Sequence, residues 1–115
     1  MHYSGSCHCG AISFTVDADF TSAIDCNCSM CAKRGGLLAF VPRAGLVLHG
    51  TQDTVQTYRF NQHKLDHHFC SRCGIAPFSE GVGPNGDKMA AINLRCVADL
   101  DLSALTIKQV DGKSL

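Results

Sequence analysis

Apolar and polar residues alternate over Ala11-Ile12-Ser13-Phe14-Thr15-Val16, which predicts a strand with Ile12, Phe14 and Val16 on one face. Short apolar runs at 37–41 and 46–49 predict two more strands, one stopped by Pro42 and the other by Gly50. Residues 54–60 are β-rich and alternating, with Thr54, Gln56 and Thr57 expected near the surface. Further strands are expected at 67–69, 76–79, 88–94 and 106–110. No segment sustains a helical stripe over four turns. Single helical turns are expected at 29–33 and 100–105, the second capped by Asp101 or Ser103. Residues 81–87, Gly-Val-Gly-Pro-Asn-Gly-Asp, predict a loop. The pattern is that of one mainly β domain spanning residues 1–115, without internal repeat or linker.

Composition narrows this picture. A chain of 115 residues suffices for one core and is short for two. Formal net charge is zero, and no basic stretch forms a nucleic-acid footprint. No run is apolar for long enough to cross a membrane as a helix. The N-terminal segment lacks the charged and apolar regions of a signal peptide, which predicts a reducing, cytoplasmic setting. Eight cysteines there point to metal ligands rather than disulfides. A secreted, disulfide-stapled domain is the competing reading, but C-x-C and C-x-x-C spacings suit metal clips better.

Seven of the cysteines fall in three clusters: Cys7 and Cys9; Cys26, Cys28 and Cys31; Cys70 and Cys73. Residues i and i+2 of an extended chain share a face, so Cys7 and Cys9 can converge on one ion. Cys70 and Cys73 form a C-x-x-C knuckle followed by Gly74, which can turn backbone amides toward the sulfurs. Together these four thiolates make a closed, structural zinc site. Cys26, Cys28 and Cys31 make a three-ligand set with an open fourth position. Three readings compete for this trio. It holds a catalytic Zn2+ with water or substrate in the open position; it holds a structural Zn2+ closed by Cys96, His49 or His68; or it is a metal-free redox cluster. Cys96 itself reads as a small buried hydrophobe, and His67 and His68 as solvated or core-edge residues.

Four segments, in order, resemble the glutathione-dependent formaldehyde-activating (centromere protein V-like) family: residues 5–14, residues 25–35, residues 68–74, and Asn93-Leu94-Arg95-Cys96-Val97. The resemblance runs from Ser4 to about Leu102. It implies a mainly β, Mss4-like zinc-binding fold of short antiparallel strands with little helix. It also implies two zinc sites, one of Cys7, Cys9, Cys70 and Cys73, the other, associated with activity, of Cys26, Cys28 and Cys31. The implied activity is that of S-(hydroxymethyl)glutathione synthase, a carbon–sulfur lyase joining a small-molecule thiol, glutathione, and an aldehyde, formaldehyde. The chain is about as short as the bare domain, whereas members named for that reaction carry additional segments.

Glutathione carries two carboxylates, and Lys33, Arg34 and Arg95 are the candidates to bind them. Lys33 and Arg34 directly follow the trio, and a solvated basic pair is the plainer alternative. Gly35 and Gly36 serve either a close backbone approach to ligand or the turn into Leu37. The rival functions are a non-catalytic zinc module that binds another protein, with both sites structural, a zinc ribbon for nucleic acid, disfavoured by charge, and a thiol redox or metal-handling protein.

Overall fold

The alternation around Phe14 is realised as a strand whose apolar side is sealed: Ile12, Phe14 and Val16 are all buried. The computed structural model describes residues 1–50, 52–60 and 65–112. Ten strands lie among them: β1 (His2–Ser6), β2 (Ser13–Asp17), β3 (Ser22–Cys26), β4 (Leu38–Pro42), β5 (Leu46–His49), β6 (Val55–Tyr58), β7 (Asp66–Cys70), β8 (Phe78–Val82), β9 (Lys88–Asn93) and β10 (Thr106–Val110). One helical turn, α1 (Cys31–Arg34), and 3-10 turns at Arg43–Gly45, Leu94–Cys96 and Leu102–Ala104 complete the elements.

The strands form two sheets, β1-β2-β5 and β10-β3-β4-β9-β8-β7-β6. Pairing is antiparallel except between β3 and β10, which run parallel with Ala23 opposite Ile107 and Cys26 opposite Val110. The fold is therefore mainly β with almost no helix, as expected, with one parallel pair added. A single cluster of buried side chains links the sheets, including Phe14, Val16, Leu46, Phe78, Ile92 and Leu94. Contact between β3 and β4 is reduced to one rung, Ile24 opposite Leu38. The chain leaves the sheet at that gap, and the excursion carries Cys28, Cys31 and α1.

Two strands escaped the sequence pattern. β1 offers only Tyr3 as a large apolar residue before its Gly and Ser positions, and β3 opens on Ser22 and Ala23. Gly81 and Val82 were expected in a loop but end β8, paired with Met89 and Lys88, so the turn is confined to the residues between. The expected strand at 76–79 starts at Phe78 instead, because Ala76 and Pro77 face the side chain and amide of Asn93. Leu94 belongs to a 3-10 turn and not to β9. The turn near 100–105 is as expected, with the Asp101 carboxylate accepting from the Ser103 amide.

The histidines of β7 are not solvated. His67 and His68 are both buried, on opposite faces of the strand. His68 Nδ1 lies 2.9 Å from Thr57 Oγ1 and Nε2 lies 2.8 Å from Glu80 Oε1. Glu80 also accepts from Arg43 Nε at 2.6 Å, and Arg43 donates to the Leu46 carbonyl. Both ring nitrogens of His68 are thus committed to a packed polar network between β5, β6, β7 and β8. His63 lies outside the described residues.

The sheets meet closely at Gly5, which bridges to Val97. A Cβ there would stand 2.4 Å from Phe14 Cζ and 2.7 Å from the Cys96 carbonyl oxygen. The Phe14 ring is locked in the core, and the carbonyl belongs to a hydrogen-bonded segment, so neither yields readily. Gly5→Ala is expected to cost about 1–3 kcal/mol of stability through overpacking, seen as a lower denaturant midpoint with an unchanged slope; an unaltered midpoint would show that this contact is loose.

Candidate metal centres and an adjoining groove

The first cysteine cluster sits where the two sheets approach. Cys7 and Cys9 lie in the turn after β1; Cys70 ends β7, and Cys73 follows in the next turn. Their four sulfurs lie within 4.8 Å of one another. Cys7–Cys9 and Cys9–Cys70 sulfur separations are 3.7 and 3.6 Å. A tetrahedral zinc with Zn–S bonds near 2.3 Å requires sulfur–sulfur edges of about 3.8 Å, whereas a disulfide closes to about 2.05 Å. All eight cysteines are free thiols. The spacing therefore fits a tetrathiolate ion and not a pair of disulfides.

Local backbone prepares this cluster for anionic sulfur. The amides of Ile12 and Arg72 point at the sulfurs of Cys7 and Cys70, each at 3.4 Å. Gly10 and Gly74 adopt φ of 83° and 80°, the left-handed turns that wrap the chain round the sulfurs. The amides of Ile75 and Cys9 hold the Cys73 thiol down at about 6. For Cys9, the Ala11 amide pulls downward, but burial and the thiols of Cys70, Cys7 and Cys73 outweigh it and raise the group to about 11. Four adjacent sulfurs cannot all ionise without a cation among them.

The second cluster lies at the gap between β3 and β4. Cys26 ends β3, Cys28 lies in the following turn and Cys31 opens α1; their sulfurs also fall within 4.8 Å of one another. The Cys28 amide faces Cys26 Sγ at 3.4 Å and the Cys31 amide faces Cys28 Sγ at 3.3 Å. Burial opposes ionisation of Cys28, yet hydrogen bonds from Cys31, Met30 and Cys26 lower it overall. Burial, then the neighbouring Cys28, pushes Cys31 up to about 12. A metal ion at this cluster would displace the retained protons. All three cysteines are partly exposed; in the first cluster Cys7 and Cys70 are buried, Cys73 is partly exposed and Cys9 is exposed. Among the described residues, no fourth histidine, cysteine or carboxylate joins the trio. His49 is engaged by Thr15, and His68 by Thr57 and Glu80. Cys96 is half-buried beside the first cluster; burial, with Cys7 and Cys73 nearby, raises it to about 11.

One wall of the trio comes from the far end of the chain. Asn27 accepts no large detour: its amide donates to the Val110 carbonyl at 3.1 Å and its side chain donates to Asp111 at 2.9 Å. Gly112 is drawn so close that a Cβ would lie 2.6 Å from Cys26 Sγ and 3.2 Å from Cys28 Cβ. Nothing in the sequence near the trio signals this contact. Gly112→Ala is expected to weaken metal binding at the trio on the order of tenfold by displacing Cys26, measured by competition with a chromogenic chelator; unchanged affinity would show that this wall yields freely.

Beside the trio, Ser29, Met30, Lys33, Arg34, Tyr58, Phe60 and Phe69 line an open groove of ≈ 500 Å³. Ser29 and Met30 lie between Cys28 and Cys31 in the chain, so the groove borders the turn that carries the trio, although no cysteine lines it. Lys33 and Arg34, two of the candidates for ligand carboxylates, line this groove. Arg95 does not line the groove: its Nε donates to the Gly35 carbonyl at 3.3 Å, which secures the end of α1. Gly35 caps α1 in the left-handed conformation, and Gly36 packs on the Asn93 side chain, so both serve the turn. Asn93 also accepts from the Arg95 amide and donates to the Ala76 carbonyl. The Asn-x-Arg-Cys segment is thereby a brace between α1, β9 and the loop after the Cys70–Cys73 knuckle.

The family model described as glutathione-dependent formaldehyde-activating enzyme matches residues 2–109. The chain belongs to this family. Within the glutathione-dependent formaldehyde-activating family, a Halomonas elongata protein provisionally named for that activity is 35% identical over 86 residues. The match covers 66% of this chain and 54% of that protein, so the chain spans about half the length of this curated relative. The crystal structure of a Rhodobacter sphaeroides protein shares the fold with a TM-score of 0.78, at 24% identity, over 91% of this chain and 99% of the other. Family membership and the two convergent thiol clusters agree with the order of the cysteine motifs along the chain. The groove's three aromatic residues come from β6, its continuation and β7, and no local motif near the trio announces them.

Proposed function

We propose that this family member is a zinc-dependent carbon–sulfur lyase of the S-(hydroxymethyl)glutathione synthase type, acting on a thiol–aldehyde adduct in the cytoplasm. In this reading Cys7, Cys9, Cys70 and Cys73 hold a structural Zn2+, and Cys26, Cys28 and Cys31 hold the Zn2+ associated with activity. The observation that carries the proposal is the asymmetry of the two clusters. One has four sulfurs at the junction of the sheets; the other has three, on a turn that borders a groove bearing Lys33 and Arg34.

Held by Cys26, Cys28 and Cys31, a Zn2+ would supply Lewis acidity, favouring the ionised form of a nearby thiol or water. The chain's own residues do the rest. Amides of Cys28 and Cys31 steady the anionic sulfurs. Lys33 and Arg34 bind the carboxylates of glutathione, with the guanidinium offering two parallel donors. The Gly35 contact from Arg95 fixes the helical turn that presents them. In the reaction the thiol sulfur bonds to the aldehyde carbon, and the carbonyl oxygen ends as a hydroxyl carrying the proton lost by the thiol. The reverse step breaks the same C–S bond.

The test is exchange NMR on zinc-loaded protein with glutathione and formaldehyde. Exchange between free and hydroxymethylated glutathione faster than in protein-free buffer supports the lyase. Unaccelerated exchange with both metals bound would favour the alternative, a non-catalytic zinc module in which both sites are structural. Among the described residues no helix is long and apolar enough to cross a membrane.

A further inference from the structure

The groove's floor is a poor match for a one-carbon aldehyde. Tyr58 and Phe60 project from the same side of the chain with ring centroids 5.9 Å apart, stacked at 17°. The pairing of Tyr58 with His67 and of Gln56 with Phe69 puts His67 and Phe69 on that same face of the sheet. His67 packs against Phe60 at 5.3 Å, closing the groove from behind. Burial, reinforced by Arg34 nearby, lowers the His67 pKa, which favours its uncharged ring as this backing. Met30 completes the floor, and the α1 side contributes Lys33 and Arg34. A volume of ≈ 500 Å³ falls in the range of sites that enclose small organic ligands, about 300–1,000 Å³.

We propose that this groove receives an anionic ligand with an aromatic or bulky apolar body, namely the glutathione adduct of an aldehyde bearing such a group. The aromatic floor takes the aldehyde's substituent while Lys33 and Arg34 take the glutathione carboxylates. Formaldehyde leaves this floor uncovered. Two features favour a ligand of this chemistry over a second protein chain. The cations and the apolar floor face one small concavity, and Ser29 and Met30, which line it, belong to the same turn as Cys28 and Cys31. The step is unchanged from that above: the sulfur–carbon bond forms as the carbonyl oxygen takes up the thiol proton, and no oxidant is required. The substrate class rests on the lyase reading; the ligand chemistry of the groove does not.

The experiment therefore has a binding arm and a kinetic arm. Zinc-loaded protein is titrated with S-benzylglutathione and with S-methylglutathione while the ring signals of Tyr58, Phe60 and Phe69 are followed by NMR. We expect the benzyl compound to bind roughly tenfold more tightly, in line with the value of an apolar substituent in a matched pocket, and to shift those rings. Tyr58→Ser, at a half-exposed position, should shrink the benzyl preference. A joint Lys33→Ala and Arg34→Ala variant should weaken both compounds. Equal affinities, or shifts away from these rings, would overturn the assignment. In the kinetic arm, hydrocinnamaldehyde is compared with formaldehyde by exchange NMR. Preference for hydrocinnamaldehyde supports the substrate class. Preference for formaldehyde, or none, sinks that class and leaves the lyase standing. Acceleration of neither, with the benzyl preference intact, removes the lyase reading and the substrate class with it, and retains the groove's ligand chemistry.

Discussion

Replacing Cys70 with serine is expected to leave the protein unfolded under conditions where the parent chain is native. Cys70 is completely buried, and its sulfur meets Cys9 across 61 positions of sequence. Cys7 and Cys9 hang from the three-stranded sheet, whereas Cys70 and Cys73 hang from the seven-stranded one. An ion shared by the four would tie the sheets together at the edge of their common core. A structural zinc of this kind contributes on the order of 10 kcal/mol, comparable to the whole stability of a small protein, about 5–15 kcal/mol. The aromatic content is only 7%, with no tryptophan, so the core has little in reserve. Circular dichroism and proton NMR dispersion decide the point. A dispersed, cooperative spectrum from Cys70→Ser would mean that the sheets hold without the first cluster, and its structural assignment would have to be given up.

Cys28→Ser is expected to have the opposite profile: the fold persists, one metal equivalent is lost, and catalysed exchange falls by about 100-fold or more, as for loss of a central catalytic element. None of Cys26, Cys28 or Cys31 belongs to the hydrophobic cluster, whereas Cys7 and Cys70 do and Cys73 packs against it. The trio is part of an excursion from the sheet, where β3 and β4 touch through a single rung. Removing one of its ligands therefore takes little from the packing that joins the sheets. Elemental analysis, thermal melting and exchange NMR on one preparation give the three readouts. A Cys28→Ser protein that melts with Cys70→Ser would identify the trio as structural and move the balance to the zinc-module alternative.

The partition of the cysteines was legible because ligand spacing is local. C-x-C and C-x-x-C are set by the geometry of one strand and one turn, so the two groups follow directly from the chain. The strand at Ile12, Phe14 and Val16 was legible for the same reason. β1 and β3 were not, since their pairing depends on partners and not on their own apolar residues. The polar network of His68 was hidden likewise: Thr57, Glu80 and Arg43 reach it from three other segments. Around the trio, the sequence showed Lys33 and Arg34, which are neighbours in the chain. It did not show Tyr58, Phe60 and Phe69, which α1 meets only after the seven-stranded sheet has formed. Gly112 was invisible, because a glycine near the end of the chain signals nothing until Cys26 is beside it.

The parallel pairing of β10 with β3 also orders events during synthesis. A parallel partner cannot be supplied by a tight hairpin, and the Asn27–Asp111 contact spans 84 positions. The first cluster is complete once Cys73 has left the ribosome. The trio's three sulfurs are local in the chain, but the wall over them waits until Val110, Asp111 and Gly112 have emerged and docked. Such distant contacts form slowly, because the long intervening loop must close before they stabilise anything. The cluster that we assign to chemistry thereby gains its wall from a strand made long after its own three sulfurs.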